Sequence, residues 1–313
     1  VGETVEDRTA MTAANEHDAL ARVALRTAQD AFGDPDRIAR QWRALGFSAP
    51  PDLGRALDEY AAFEALVGAS GARIDRLPAD ASLTLDALYV RDASIVTPRG
   101  IVLCRMGKPA REAEPAAAGR AFEALGLPVA GAIEAPGRLE GGDVVWFDER
   151  TVAVGRGYRT NDAGIDQLRR HLGSGVEVIV VALPHHRGPA DVFHLMSILS
   201  PVDRDLAVVY SPLMPVPFRE WLCDRGVRLV EVPDAEFASM GANVLALAPR
   251  RCVMLEGNPV TRARLEAAGA EVATYEGSEI SLKGGGGPTC LTRPLVRTAA
   301  RGAPGSPGRR PGR

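Results

Sequence analysis

The sequence predicts an α/β fold in which five pseudo-symmetric ββαβ units close into a ring. Three observations predict it. An amphipathic helix, a glycine and a short β-branched strand recur five times, with the glycines Gly71, Gly126, Gly175, Gly226 and Gly269 at intervals of 55, 49, 51 and 43 residues. Further apolar strands lie between these copies, several paired across hairpin-like turns. The residue types that carry chemistry fall at one phase of the repeat.

The five helix–strand copies are "AAFEALVGASGARIDRLP", "GRAFEALGLPVAGAIEAP", "GIDQLRRHLGSGVEVIVVALP", "FREWLCDRGVRLVEVP" and "TRARLEAAGAEVATYE". In each, apolar residues recur at i, i+3 and i+4, which marks one buried helical face. Each helix stops at or near its glycine, which can take the left-handed conformation that closes a helix. The strand "VEVIVVAL" is nearly continuously apolar, as when both faces are covered. Between the copies lie "ALYVRDASIVTPRGIVLC", "DVVWFDERTVAVG", "DLAVVYSP" and "NVLALAPRRCVML", in which "TPRG", "FDER" and "APRR" read as turns. A doubly wound parallel sheet is the competing arrangement, but such sheets join strands mostly through helices and leave the hairpins unexplained. A solenoid needs terminal caps, and none is visible. A ring buries all five helical faces.

The 313 residues are 46% hydrophobic and 25% charged, with a net charge of −3, an ordinary globular composition. The segment after Thr298 carries Arg301, Arg309, Arg310 and Arg313 and no acid, so the remainder is near −7. No basic face marks a nucleic-acid binder. No apolar run is long enough for a membrane helix. Residues 1–18 are polar and acidic, unlike a signal peptide, and are expected to be flexible. Residues 19–297 are expected to form a single catalytic domain, and 298–313 a disordered basic tail. Cys104, Cys223, Cys252 and Cys290 are widely spaced, which argues against a disulfide framework or a zinc ribbon and points to a reducing cytoplasm. The reading requires no metal or cofactor and leaves room for a homodimer.

The loops that open on one end of the ring carry Asp86 and Asp92, Glu140 and Asp143 in "LEGGDVV", His194 in "DVFHLM", Asn243 in "MGANVL" and Cys290 in "GGGGPTC". Four glycines lose much backbone entropy on folding, so the run is expected where chain must bend sharply or be closely approached. It would bend the last unit so that Cys290 points into the axial pocket. A flexible loop with an incidental thiol is the alternative. Cys252, inside the apolar "RRCVML", has the setting of a structural cysteine, whereas Cys290 has that of a nucleophile with His194 as its base. His194 lies between Phe193 and Leu195, so a core histidine is the competing reading. His185 and His186 read as solvated loop residues. Asp92, an acid within an apolar strand, needs a partner, and a cationic substrate would be one. The G-x-S-x-G, H-E-x-x-H and P-loop patterns are absent.

Taken in order, "LYVRDASIV", "LEGGDVV", "GYRTN", "FHL", "GANVLAL" and "GGGGPTCLTRP" resemble the guanidino-group modifying (pentein) superfamily. That superfamily has a five-bladed α/β-propeller fold and includes dimethylarginine dimethylaminohydrolases, arginine deiminases and amidinotransferases. The resemblance spans roughly residues 86–297. It implies Cys290 as the thiolate that attacks a guanidinium carbon and His194 as general acid and base. It implies Glu140 and Asp92 as carboxylates on the guanidinium, with Asp86 and Asp143 about the same pocket. Arg159 and Arg111 would hold the substrate α-carboxylate. A small guanidino compound is then the implied partner and a thiouronium the implied intermediate. Most similar is the dimethylarginine dimethylaminohydrolase type, which converts N-methylated arginine to citrulline and an alkylamine. Deimination, amidino transfer and a non-catalytic binding propeller are the alternatives. Two positions depart from pattern. Met196 stands where deiminases carry an Asp two residues after the histidine, which favours N-alkyl groups. Arg91 stands where the dimethylarginine type often has an acid; as a cation near the pocket it would favour an acidic substrate tail.

Overall fold

A computed structural model of the chain describes residues 15–189, 191 and 193–299. β1 (Ala19–Leu25) leads through α1 (Ala28–Phe32), α2 (Pro35–Leu45) and α3 (Leu53–Ala69) to β2 (Arg73–Arg76). Four ββαβ units follow. The first comprises β3 (Ser94–Thr97), β4 (Gly100–Leu103), α4 (Glu114–Ala124) and β5 (Val129–Ala132). The second comprises β6 (Val144–Asp148), β7 (Thr151–Arg156), α5 (Asp162–Leu172) and β8 (Glu177–Ala182). The third comprises β9 (Leu199–Asp203), β10 (Leu206–Val209), α6 (Val216–Asp224) and β11 (Arg228–Glu231). A short α7 (Asp234–Phe237) precedes the fourth: β12 (Leu245–Ala248), β13 (Arg251–Leu255), α8 (Pro259–Ala267) and β14 (Glu271–Tyr275). β15 (Arg293–Thr298) follows.

Each unit forms its own three-stranded sheet. The first two strands pair antiparallel, and the third returns parallel to the second. Short turns permit only antiparallel neighbours, whereas a parallel neighbour needs a crossover such as the helix. The expected turns lie between β3 and β4, β6 and β7, and β12 and β13. The fifth sheet, of order β15-β1-β2, is built from both ends of the chain. β15 runs antiparallel to β1, with Ala19 opposite Thr298, and so closes the five-unit propeller.

Four of the expected helix-ending glycines take positive φ: Gly71, Gly126, Gly226 and Gly269. The third helix stops earlier than expected, at Gly173 (φ 79°), whose N–H reaches Arg169 O. The apolar β8 is not covered on both faces either. It is the outer strand of its sheet, and Val180 is 40% exposed. Solvent therefore meets one side of a strand whose composition reads as fully buried.

Residues 1–14 and the arginines at 301, 309, 310 and 313 lie outside the described residues. Residues 15–18, expected to be loose, are packed: Glu16 and His17 are buried, and Glu16 N–H donates to Trp146 O at 3.2 Å. Among the described residues no helix is long and apolar enough to cross a membrane.

α3 has a direct bearing on the site. Asp52 caps its start by accepting from Arg55 N–H at 2.9 Å. Phe63 is fully buried on its inner face against Tyr275, with ring centroids 5.0 Å apart. Truncating such a side chain to Ala costs about 3–5 kcal/mol. From the same helix Glu59 accepts N–H bonds from Glu279 (2.8 Å) and Ile280 (3.2 Å), anchoring the chain just before the glycine run.

Candidate active site

The glycine run is a loop laid against aromatic and amide side chains. A Cβ on Gly284 would stand 2.0 Å from Tyr89 Oη, and one on Gly286 would stand 2.4 Å from the Tyr89 ring. Gly285 has φ +80°, the left-handed region. The loop is pinned where Tyr89 Oη donates to Ile280 O at 3.0 Å. Its far end is held by Asn243, whose Oδ1 accepts from Thr289 N–H (3.0 Å) and Thr289 Oγ1 (2.9 Å). Asn243 Nδ2 stands 3.7 Å and Thr289 Oγ1 3.9 Å from Cys290 Sγ. The sharp turn therefore exists to present one thiol, and Cys290 is only partly buried.

His194 opens the short turn Leu195–Ser197 ahead of β9. Its Nε2 lies 2.6 Å from Glu140 Oε2. Glu140, from the turn ahead of β6, is completely buried. Its other oxygen accepts from Gly107 N–H at 2.7 Å, and Arg159 Nη1 approaches both oxygens at 3.2 and 3.4 Å. Asp92 accepts from Gly142 N–H (2.9 Å) and Arg111 Nη1 (2.6 Å). A Cβ on Gly142 would fall 2.8 Å from Asp92 and 2.9 Å from the His194 ring, so the second glycine of "EGGD" keeps acid and imidazole close.

Two cavities meet at Cys290 and His194. The inner one, about 20 Å³, is lined by Asp86, Tyr89, Asp92, Lys108, Arg111, Arg159 and Gly284–Gly286. The outer one, about 270 Å³, is bounded by Met196, His186, Phe193, Phe237, Met240, Asn243 and Lys283 among others. Both cavities carry charges of both signs, the outer one at Arg187, Asp191 and Lys283, but the outer one also has the apolar side chains Met196, Phe193, Phe237 and Met240.

The expected site residues divide accordingly. Cys290, His194, Asp92, Asp86, Arg111 and Arg159 come together at the inner cavity. Glu140 lines neither cavity; its carboxylate stands behind His194. Asp143 is also withdrawn, accepting from Thr160 Oγ1 (2.7 Å) and Leu195 N–H (3.0 Å), and so fixes the residue after the histidine. Arg111 reaches the cavity with its guanidinium already engaged: Nε and Nη2 bind Glu114 at 2.8 Å each, Nη1 binds Asp92, and Nη2 also reaches Tyr89 O at 2.9 Å. Arg91, expected near the pocket, lines neither cavity and is 1% exposed. His186, expected in solvent, packs on Phe193 and Phe237 at the outer wall. Sequence reasoning missed Lys108, which stands 2.5 Å from Asp86 and donates to Leu45 O at 2.6 Å. Its only signal was a place three residues ahead of Arg111.

The charges are strongly coupled. Burial acts to lower the His194 pKa, but Asp92, Asp143 and Glu140 outweigh it and raise it to about 9. Burial acts to raise Asp92, yet His194, Arg111 and Arg159 hold it below the usual carboxylate range. Glu140 is likewise lowered, its burial outweighed by the hydrogen bond and charge of His194. Burial lifts Asp143 to about 6. Burial, then the charge of Asp92, pushes the Cys290 thiol up. The resting arrangement at neutral pH is thus an imidazolium between ionised acids beside a protonated thiol. A cation arriving beside the thiol would favour its ionisation. Among the described residues Asp92, Glu140 and His194 also form one group whose ligand atoms lie within 4.8 Å of one another, the spacing a metal ion would need. The atoms His194 Nε2 and Glu140 Oε2 are at present shared with each other.

The family model for arginine deiminase matches residues 85–217 and 214–297. N(G),N(G)-dimethylarginine dimethylaminohydrolase of Streptomyces coelicolor is 33% identical over 242 residues, covering 77% of this chain and 86% of its own. Arginine deiminase of Mycobacterium avium is 32% identical over 207 residues, covering 57% of this chain; the match spans only 48% of that longer protein. Among solved structures, the dimethylarginine dimethylaminohydrolase of Pseudomonas aeruginosa, a mutant complexed with citrulline, superposes with a TM-score of 0.69 over 88% of this chain and 98% of that one, at 23% identity.

Proposed function

Because this chain belongs to the arginine deiminase family, enzymes that act on guanidino C–N bonds, we propose that it hydrolyses N-methylated arginine to citrulline and an alkylamine through a covalent thiouronium on Cys290. The observation that carries this reading is the meeting of the Cys290 thiol with the His194–Glu140 pair at the wall of a small cavity that Asp92 lines.

The substrate guanidinium lies where the two cavities meet at Cys290 and His194, with Asp92 as its charge-assisted contact, and the inner cavity, room for about one water, widens to take the rest of the substrate. Its positive charge favours the Cys290 thiolate, and because His194 is already protonated the thiol proton passes to solvent through the outer cavity. The thiolate attacks the guanidinium carbon and forms the C–S bond. The imidazolium of His194, turned and kept charged by Glu140, gives its proton to the departing amine as the C–N bond breaks. His194, now neutral, takes a proton from water, whose oxygen attacks the thiouronium carbon. The C–S bond then breaks as the hydroxyl proton of the adduct passes to the departing sulfur, so the ureido product leaves neutral, the thiol is restored and His194 is again the imidazolium. Lys108, Asp86 and Arg159 form the cavity's remaining charged wall and suit the α-amino acid end of the substrate. Arg111, already engaged on all sides, supports Asp92 instead of reaching substrate.

Met196 supports an N-alkylated substrate, because it presents a thioether at the outer wall where a carboxylate would hold bare N–H groups. Deimination of arginine is the second reading, and the family match to arginine deiminase favours it. A panel of guanidino compounds, assayed for ureido product and released amine, tests both. Methylamine or dimethylamine release is expected. Ammonia from plain arginine as the preferred reaction would establish the second reading, and product from neither would reject both.

A further inference from the structure

Arg91 is the largest completely buried side chain described. It does not meet the substrate cavity; it runs beneath the nucleophile loop. Its Nε donates to Thr289 O at 2.7 Å, and its backbone N–H donates to Cys290 O at 3.2 Å. Its Nη1 faces Glu16 at 3.3 and 3.5 Å. Its own carbonyl accepts from Arg293 Nη2 at 2.8 Å. Asp92, the next residue, turns the other way into the cavity. The turn just ahead of β3 therefore holds the nucleophile loop from below with a cation and faces the substrate with an anion.

We propose that Arg91 is a positioning residue for Cys290, its guanidinium aiming the loop through Thr289 O and stabilising the thiolate, with Glu16 of the N-terminal segment setting how much of that charge the thiol feels. This rests on the reading of Cys290 as nucleophile. The electrostatics agree in sign: among the charges around the thiol, Asp92 disfavours the thiolate and Arg91 favours it. The other groups facing this region are His194 and the buried phenol Tyr89 on the cavity side, the buried phenol Tyr275 behind the loop, and Arg293, Arg297 and Glu16 around Arg91. An isolated buried guanidinium would be costly, and the carboxylate of Glu16 offsets it. Residues 15–18 are packed for the same reason: they carry the counter-charge.

The test is alkylation of Cys290 by iodoacetamide across pH, without substrate, read by peptide mass spectrometry against the exposed Cys223 in the same digest. A charge removed near a buried thiol changes its thiolate fraction severalfold. The double variant Arg91→Met/Glu16→Gln, which leaves no buried carboxylate alone, should slow Cys290 alkylation at pH 7 by roughly three- to tenfold and move its profile to higher pH. Glu16→Gln alone should act oppositely and speed it. Arg91→Lys should keep the profile's position, because charge is retained. A double variant with the parent profile, or slowing by Glu16→Gln as well, overturns the proposal. If the double variant does not fold, the acceleration required of Glu16→Gln and the unchanged profile required of Arg91→Lys decide it. Because no turnover is read, absent guanidine hydrolysis would refute the proposed function without touching this result.

Discussion

His194 Nε2 and Glu140 Oε2 stand 2.6 Å apart, with both side chains almost wholly withdrawn from solvent. Asp92, Asp143 and this pair together keep the imidazole charged well past neutrality, and a charged imidazole is what a departing amine needs. Glu140→Gln removes the negative partner. The alkaline limb of kcat should then move from near the His194 value of about 9 toward lower pH, with kcat itself reduced. A limb that stays in place in a pH–rate profile would show that Asp92 and Asp143 alone hold the charge.

The same shift makes a stability prediction. The His194 pKa is raised above its ordinary 6.5. Its contribution is therefore fully present below about 6.5 and is lost as pH rises through about 9. Asp143 acts in a lower window: raised from 3.8 to about 6, it costs stability progressively as pH rises between those values. Melting temperature should fall from pH 6.5 to 9, and the fall should shrink in His194→Gln. An equal fall in that variant would assign the effect to other groups.

Cys290→Ser should leave the fold intact and reduce turnover beyond detection, since a hydroxyl lacks the acidity of the thiol. His194→Ala should lose about 10²–10⁴ in rate and cripple both halves of the reaction, with an adduct on Cys290 visible by intact-protein mass spectrometry. Serine-variant activity within tenfold of the parent would remove Cys290 from the mechanism.

Much of this was legible in the sequence because repetition is legible. Helix-ending glycines and hairpin turns recur at a near-constant interval, and ring closure follows from them. The fifth sheet was harder to read, since β15 and β1 meet from opposite ends and share no local pattern. Residue types at the site were legible, but their directions were not. Glu140 and Asp92 both read as acids for a guanidinium, yet only Asp92 lines the cavity. Arg91 and Asp92 are neighbours in the turn just ahead of β3, where the sequence reads as strand; a turn has no fixed side-chain period, so which of the two faces substrate was not legible. Lys108 was hidden because a lysine in a loop carries no periodic signal.

Arg111 and Lys108 should separate by experiment. Arg111 joins Asp92 and Glu114 in a buried cluster. Removing one partner of a buried ion pair costs about 3–5 kcal/mol, so Arg111→Met should lower the denaturation midpoint sharply. Lys108→Met strands only the buried Asp86 carboxylate, from a side chain still 20% exposed, so it should lower the midpoint less than Arg111→Met and raise KM severalfold. An Arg111→Met protein of parental stability with only KM raised would return Arg111 to direct substrate binding.

Met196 offers the sharpest test of substrate choice. It is 3% exposed overall and borders the outer cavity beside His194. A carboxylate there would give a guanidinium N–H a charged acceptor, a bond class worth about 1.5–3 kcal/mol. A thioether gives none. Plain arginine then buries donors without partners, while a methylated nitrogen has fewer donors to lose and fits an apolar wall. Methylated arginine should be preferred over arginine by roughly tenfold or more in kcat/KM, since each 1.4 kcal/mol is about a factor of ten. Met196→Asp should narrow or reverse that ratio. Competition between arginine and dimethylarginine on parent and variant measures it directly. Equal or better use of arginine by the parent would refute the preference and leave deimination as the reading of this site.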